Sequence, residues 1–291
     1  MPPQERITQA IALMVVYVSM IVFVNAGGKL LAEFGYHPLQ IVLFRHGVAF
    51  LFMLVLFLPR QGMGVLRARR PGMQVLRGMC AIFSSIFYFW GLVSVSLATA
   101  AAISFTMPLL VVAASGPLLG ERAGLHRWAA VAAGFCGALV IIRPGIGDAA
   151  QWGALLLLGS AGCGAVYQIL TRRLAGQDRA ETMNIWSGMV GSVIVSAMVP
   201  FVWRMPGEAI AWALFIGLGL IGGYAHYLLA KAFERGPASL LSPFNYLQLL
   251  GATFTGYALF GQLPDAFTWL GAAIIVAAGL YVARRERARA A

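Results

Sequence analysis

From Ser104 to Val140 the chain reads SFTMPLLVVAASGPLLGERAGLHRWAAVAAGFCGALV, and from Pro243 to Val282 it reads PFNYLQLLGATFTGYALFGQLPDAFTWLGAAIIVAAGLYV. The two stretches align. Phe105 falls on Phe244, Leu110 on Leu249 and Ala113 on Ala252; after a two-residue slip Gly120 meets Gly261, Glu121 meets Gln262 and Trp128 meets Trp269. Identities are sparse, but both stretches run apolar, polar turn, apolar, as a duplicated membrane unit would.

The rest of the chain has the same texture, with 60% apolar and 11% charged residues. Apolar runs of about 18–22 residues follow one another, each long enough to cross a bilayer core of about 30 Å as a helix. The expected fold is all-α, with ten transmembrane helices near 7–31, 39–58, 74–94, 98–118, 127–142, 152–171, 183–203, 209–231, 238–259 and 266–283. That divides the chain into a first five-helix repeat over 7–145, a second over 152–283 and a basic tail over 284–291. The joins are short, which leaves no room for a soluble domain.

A net charge of +11 raises the question of nucleic acid, but the cations are not gathered on one stripe. They sort by membrane side. With the N-terminus inside, inner segments hold Arg6, Arg60, Arg67, Arg69, Arg70, Arg122, Arg127, Arg172, Arg173, Arg179, Lys231, Arg235 and the arginines from Arg284 onward, and outer loops hold only Arg143 and Arg204. The positive-inside rule then places both termini in the cytoplasm. An odd number of spans per repeat makes the second enter from the opposite face, so the halves are inverted. The first segment reads as a span rather than a signal peptide, because its apolar core is long and its flank barely basic. Cys80, Cys136 and Cys163 are widely spaced in apolar helices, a poor pattern for disulfides or zinc, and read as small packing residues.

All ten carboxylates fall in loops or at helix ends. An intramembrane metal-dependent enzyme or metal-ion carrier needs such ligands at mid-membrane, so both are disfavoured, as is proton coupling through a buried acid. The run Gly217-Leu-Gly-Leu-Ile-Gly fits a dinucleotide fingerprint but lies inside an apolar span with no strand before it. Gly219 and Gly223 are read as letting helices approach closely. No catalytic residue, cofactor or metal site is expected. Pro108, Pro117 and Pro243 lie inside spans and leave two readings open, a packing kink or a carbonyl aimed at substrate.

Three cations sit within spans. Lys29 is read as an interfacial anchor and Arg77 as snorkelling to the inner surface. Arg45, about 9 Å from its helix end, has no acid at its depth; it either snorkels outward or meets a substrate anion. Polar and aromatic side chains gather on several spans: His46 beside Arg45, Ser84, Ser85 and Tyr88, Phe105, Tyr167 and Gln168, His226 and Tyr227, and Asn245 and Gln248. Tyr88 and Tyr227 occupy equivalent repeat positions. Asn245, Gln248, Ala252 and Thr255 share one helical face. Of these, Arg45, His46, Ser84, Tyr88, Phe105, Tyr167, His226, Tyr227, Asn245 and Gln248 are expected to line a largely apolar cavity for a small amphipathic solute.

Pro108, Gly120-Glu121-Arg122, Trp128, Gly134, Gly137 and Arg143-Pro144-Gly145 resemble the end of an EamA domain of the drug/metabolite transporter superfamily. GALLLLGSAGCGAVYQILTRRL from Gly153, YLLAKAFERGPASLLSPFNYLQLL, FGQLPD and GLYVARRE resemble its second unit, and Lys29 and Arg45 look like common family positions. The likeness covers essentially the whole chain. Gln262 departs from it where an acidic residue is usual, and no tryptophan stands in the first span. The resemblance implies a ten-helix carrier of the bacterial inner membrane, working by alternating access on a small-molecule substrate. The expected partners are a small-molecule substrate and the lipid bilayer, with no nucleic acid, and the chain is expected to be a monomer. YddG-like export of amino acids is the leading expectation, and import or exchange of a cofactor such as riboflavin or S-adenosylmethionine is the alternative.

Overall fold

A computed structural model describes residues 3–119, 125–143, 149–174, 176–235 and 241–290. The repeat-matching Gly120-Glu121-Arg122 and Pro144-Gly145 lie outside the described residues. The fold is all-helical, with no strand among the described residues. The helices are α1 (Pro3–Glu33), α2 (Pro38–Gln61), α3 (Pro71–Leu92), α4 (Leu97–Ser104), α5 (Thr106–Leu119), α6 (Leu125–Ile142), α7 (Ala149–Leu174), α8 (Ala180–Met198), α9 (Ala209–Arg235), α10 (Leu247–Phe260) and α11 (Ala266–Ala290). Seven described helical stretches are long and apolar enough to cross a bilayer, and Trp128–Ile142 and Ala266–Val282 are shorter apolar helices. The expected ninth span appears as a 3-10 turn, Ser242–Tyr246, leading into the 14 residues of α10.

The expected fourth span is interrupted rather than continuous. Proline removes an N–H and its ring clashes with the carbonyl four residues earlier, and α4 stops at Ser104, four before Pro108. Side-chain hydroxyls take up nearby carbonyls: Thr106 Oγ1 donates to Ile103 O at 2.7 Å and Ser104 Oγ to Ala100 O at 2.8 Å. The α2 helix runs past its expected end at Leu58 to Gln61, tolerating Pro59 in its last turn, and then tightens into a 3-10 turn over Gly62–Leu66.

Packing partners are symmetric under exchange of the two halves. As α1 lies on α9, α7 lies on α3; as α2 lies on α9, α8 lies on α3; and α2 with α8, α4 with α10 and α6 with α11 pair across the halves. The main core cluster draws on both halves, with Leu31, Ile41, Ile82, Ile103, Leu157, Phe215 and Ile275 all buried in it. On α9 the absence of side chains is what allows contact with α2. A Cβ added at Gly219 would lie 2.8 Å from the Phe44 carbonyl oxygen and one at Gly223 3.2 Å from Ala49 Cα. Gly219→Ala should therefore cost about 1–3 kcal/mol of stability, read as a lower melting temperature in detergent; an unchanged melt would mean the two helices are not held in contact there.

The start of α2 is capped by His37, whose Nδ1 accepts the Leu39 N–H at 3.2 Å while its ring sits edge-on to Trp90 at 5.5 Å. Burial holds this imidazole below its ordinary value of 6.5. Only the neutral ring accepts that bond. The unfolded chain therefore binds the proton first, so the cap contributes fully above the unfolded-state value and its contribution is lost as pH falls through the lower folded-state value. Melting temperature should fall with acid over that window in the native protein, and His37→Asn, which caps without titrating, should lose this part of the slope.

Candidate functional site

Two turns into α2, about 10 Å from its start, Arg45 and His46 enter the middle of the bundle. Arg45 lies deep in the protein yet keeps accessible surface, as do Tyr17, His46, Tyr88 and His226. Residues that lie deep and yet keep accessible surface are those able to line a cavity. The Arg45 guanidinium stands 5.3 Å from the Phe89 ring. It forms no hydrogen bond or ion pair with the described residues.

Side chains of several helices gather around it. His46 Nε2 and Ser85 Oγ share a hydrogen bond of 2.9 Å, joining α2 to α3. The α3 helix also brings Tyr88 edge-on to Phe89 at 5.5 Å. From α1, Tyr17 lies 6.1 Å from the His226 ring of α9. Phe105, at the break between α4 and α5, meets Tyr246 edge-on at 5.0 Å. Asn245 and Gln248 are half-buried and make no hydrogen bond with the described residues, so their amides are unspent. No trio of His, Cys, Asp or Glu gathers among the described residues. Glu181, buried near the start of α8, is 3.7 Å from Lys231.

Other expected residues are spent elsewhere. Ser84 and Ser160 exchange hydrogen bonds with each other's carbonyls at 2.9 and 2.7 Å, fastening α3 to α7. Tyr227 packs on Phe57, 5.3 Å between rings, and on Tyr224, so it faces the seam between α2 and α9 and has no ring contact with Tyr88. Gln168 is exposed and donates weakly to Met107 Sδ. Tyr167 carries the Arg77 guanidinium over its ring at 5.0 Å.

Two cations differ from their sequence reading. Lys29 is buried, and its ammonium donates to the carbonyls of Leu92 at 3.3 Å and Val95 at 2.7 Å, above Phe260 at 5.6 Å. It closes the C-terminal end of α3, where the last carbonyls lack helical partners and the dipole favours a cation. Arg77 does not snorkel: it is 1% exposed, with Nε to Gln74 Oε1 at 3.1 Å, Nη1 to Thr171 Oγ1 at 3.3 Å and Nη2 to the Met183 carbonyl. Enough acceptors surround it to replace water. Tyr17 was missed by the sequence reading, although it stands near the middle of the 31-residue α1, away from the interfaces where tyrosine anchors.

The EamA-like transporter family matches the chain twice, over residues 8–143 and 151–284. The chain is 34% identical over 245 residues to a riboflavin transporter of Rhizobium johnstonii, covering 84% of this chain and 80% of that protein. It is 27% identical to an S-adenosylmethionine uptake transporter of Rickettsia prowazekii, covering 86% and 84% of the two chains. A solved crystal structure at 20% identity shares the fold, with a TM-score of 0.66 over 96% of this chain and 98% of the other.

Proposed function

Since this chain belongs to the EamA-like transporter family and is a transporter, not an enzyme, we propose that its cargo is riboflavin or a closely similar planar, uncharged cofactor metabolite. The protein is a multi-pass protein of the bacterial inner membrane. One observation carries the reading: Arg45, over the Phe89 ring and near Tyr17, Tyr88 and His226, has no hydrogen bond and no carboxylate partner among the described residues. Aromatic walls suit a flat ring system, and a fork of guanidinium N–H donors suits the carbonyl and nitrogen acceptors along one edge of a flavin ring. The unspent amides of Asn245 and Gln248 suit a polyhydroxy side chain. S-adenosylmethionine fits less well, because its sulfonium and ammonium would enter a site whose fixed charge is positive.

The amino-acid export expected from the sequence rests on the inverted duplication, the carboxylate-free interior and the family resemblance, and the relatives named above are named for riboflavin and S-adenosylmethionine instead. The site is worked, in this reading, by ten spans forming two inverted halves with both termini in the cytoplasm; the exchange symmetry of the packing supports that arrangement. Purified protein in liposomes should move riboflavin, followed by its fluorescence, faster than empty vesicles do, and excess unlabelled riboflavin should compete. Flux of labelled tryptophan or phenylalanine with none of riboflavin would replace this assignment by the amino-acid one. Reporter fusions at the two termini check the orientation.

A further inference from the structure

The last turn of α2 carries Arg60 and the join from α2 to α3 carries Arg67, Arg69 and Arg70, all exposed. It is a built surface. Val65, 1% exposed, plugs into a cluster with Met53, Phe57 and Ile185, and Trp186 Nε1 on α8 donates to the Leu66 carbonyl at 3.0 Å. Further along, the Arg69 N–H donates to Asp178 Oδ1 at 2.9 Å and Gln74 Nε2 to Asp178 Oδ2 at 2.7 Å. These bonds bring the join between α7 and α8 alongside, where Arg179 Nη1 donates to Gln61 Oε1 at 3.2 Å.

The charges on this shelf are unanswered. Asp178 is the carboxylate that adjoins it, and both its oxygens are held by neutral donors. None of Arg60, Arg67, Arg69, Arg70 and Arg179 forms an ion pair with a described carboxylate. In the same join Met63 is 71% exposed. An exposed apolar side chain in an arginine-bearing join, at the ends of two helices long and apolar enough to cross a bilayer, suits the depth where headgroups meet acyl chains.

We propose that this arginine shelf binds the phosphate of an anionic phospholipid headgroup, with Met63 inserted among the acyl chains. A phosphate oxyanion is the shared chemistry that a soluble anion also offers; Met63 and the position at the helix ends favour the lipid. The inference needs only that α2 and α3 cross the membrane, so it stands or falls independently of the transported solute.

The test uses the full chain in detergent, titrated with phosphatidylglycerol or phosphatidylcholine, with retained lipids counted by native mass spectrometry. Phosphatidylglycerol should be retained preferentially, less so at high salt. The combined variant Arg67→Ala, Arg69→Ala, Arg70→Ala should weaken that retention about fivefold per arginine while leaving phosphatidylcholine unchanged. The corresponding lysine variant should keep the preference, since a point charge serves for phosphate, and it shows whether the alanine loss is one of charge. Equal retention of the two lipids, or undiminished phosphatidylglycerol on the folded alanine variant, overturns the proposal. So does soluble glycerol phosphate displacing phosphatidylglycerol at equal concentration, which would make the shelf a general anion site.

Discussion

Replacing Arg77 by alanine is expected to remove most of the folded protein. The side chain is 1% exposed and answers three acceptors, the Gln74 amide oxygen, the Thr171 hydroxyl and the Met183 carbonyl, and it also lies over the Tyr167 ring. Truncation strands the fully buried Gln74 oxygen at about 1–3 kcal/mol, removes the bonds to the half-buried Thr171 and Met183 and opens a cavity where α3, α7 and α8 meet, for a loss of about 3–5 kcal/mol or more. Gln74 is itself fully buried and passes the network on to Asp178. Arg77→Lys should recover only part of the loss, because one ammonium cannot reach acceptors spread across three helices. Thermal unfolding in detergent with gel filtration checks this. A variant that melts like the native protein would mean water satisfies the site, and that the guanidinium does not bind the three helices together.

Arg45→Ala is expected to do the opposite, leaving the fold intact and removing transport. No described residue hydrogen-bonds its guanidinium, so nothing buried is stranded when it goes. On the proposed function, what is lost is a contact with the solute, about 1.5–3 kcal/mol for hydrogen bonds to a charged group, or roughly a 10- to 150-fold rise in the apparent KM for riboflavin. Arg45→Lys should fall between, since it keeps the charge and loses the two-pronged geometry. If alanine lowers the amount of folded protein in step with transport, Arg45 is a structural anchor and the cavity reading fails. If transport of carboxylate-bearing amino acids falls but that of their amides does not, the cargo is an amino acid.

The two arginines were alike in the sequence, each a cation in an apolar helix, and the structure separates them by their neighbours. A charge at such a depth requires partners, a wet cavity or a route to the surface, but which of these applies depends on side chains far away in the chain. For Arg77 they are Thr171 and Met183, and for Lys29 the carbonyls of Leu92 and Val95. None is within reach of local pattern reading. The same limit explains Ser84 and Tyr227, singled out as polar groups within spans, the tyrosine also by its repeat equivalence with Tyr88, but turned toward Ser160 and Phe57. Tyr17 was passed over for the converse reason: a lone tyrosine among valines carries no signal until α9 brings His226 beside it.

By itself the sequence determined the helical class and the positions of the apolar helices. It also marked Pro108 as a weak point in its helix and indicated the close approach at Gly219 and Gly223. These depend on composition, run length, proline sterics and missing side chains, all local properties. The tertiary structure alone decided which polar groups spend their hydrogen bonds between helices and which stay open to a cavity. That division depends on the register of helices a hundred or more residues apart in the chain, as where Arg77 on α3 bonds to Met183 on α8. In a low-dielectric interior each such pairing decides whether a polar side chain serves the fold or remains free for a substrate.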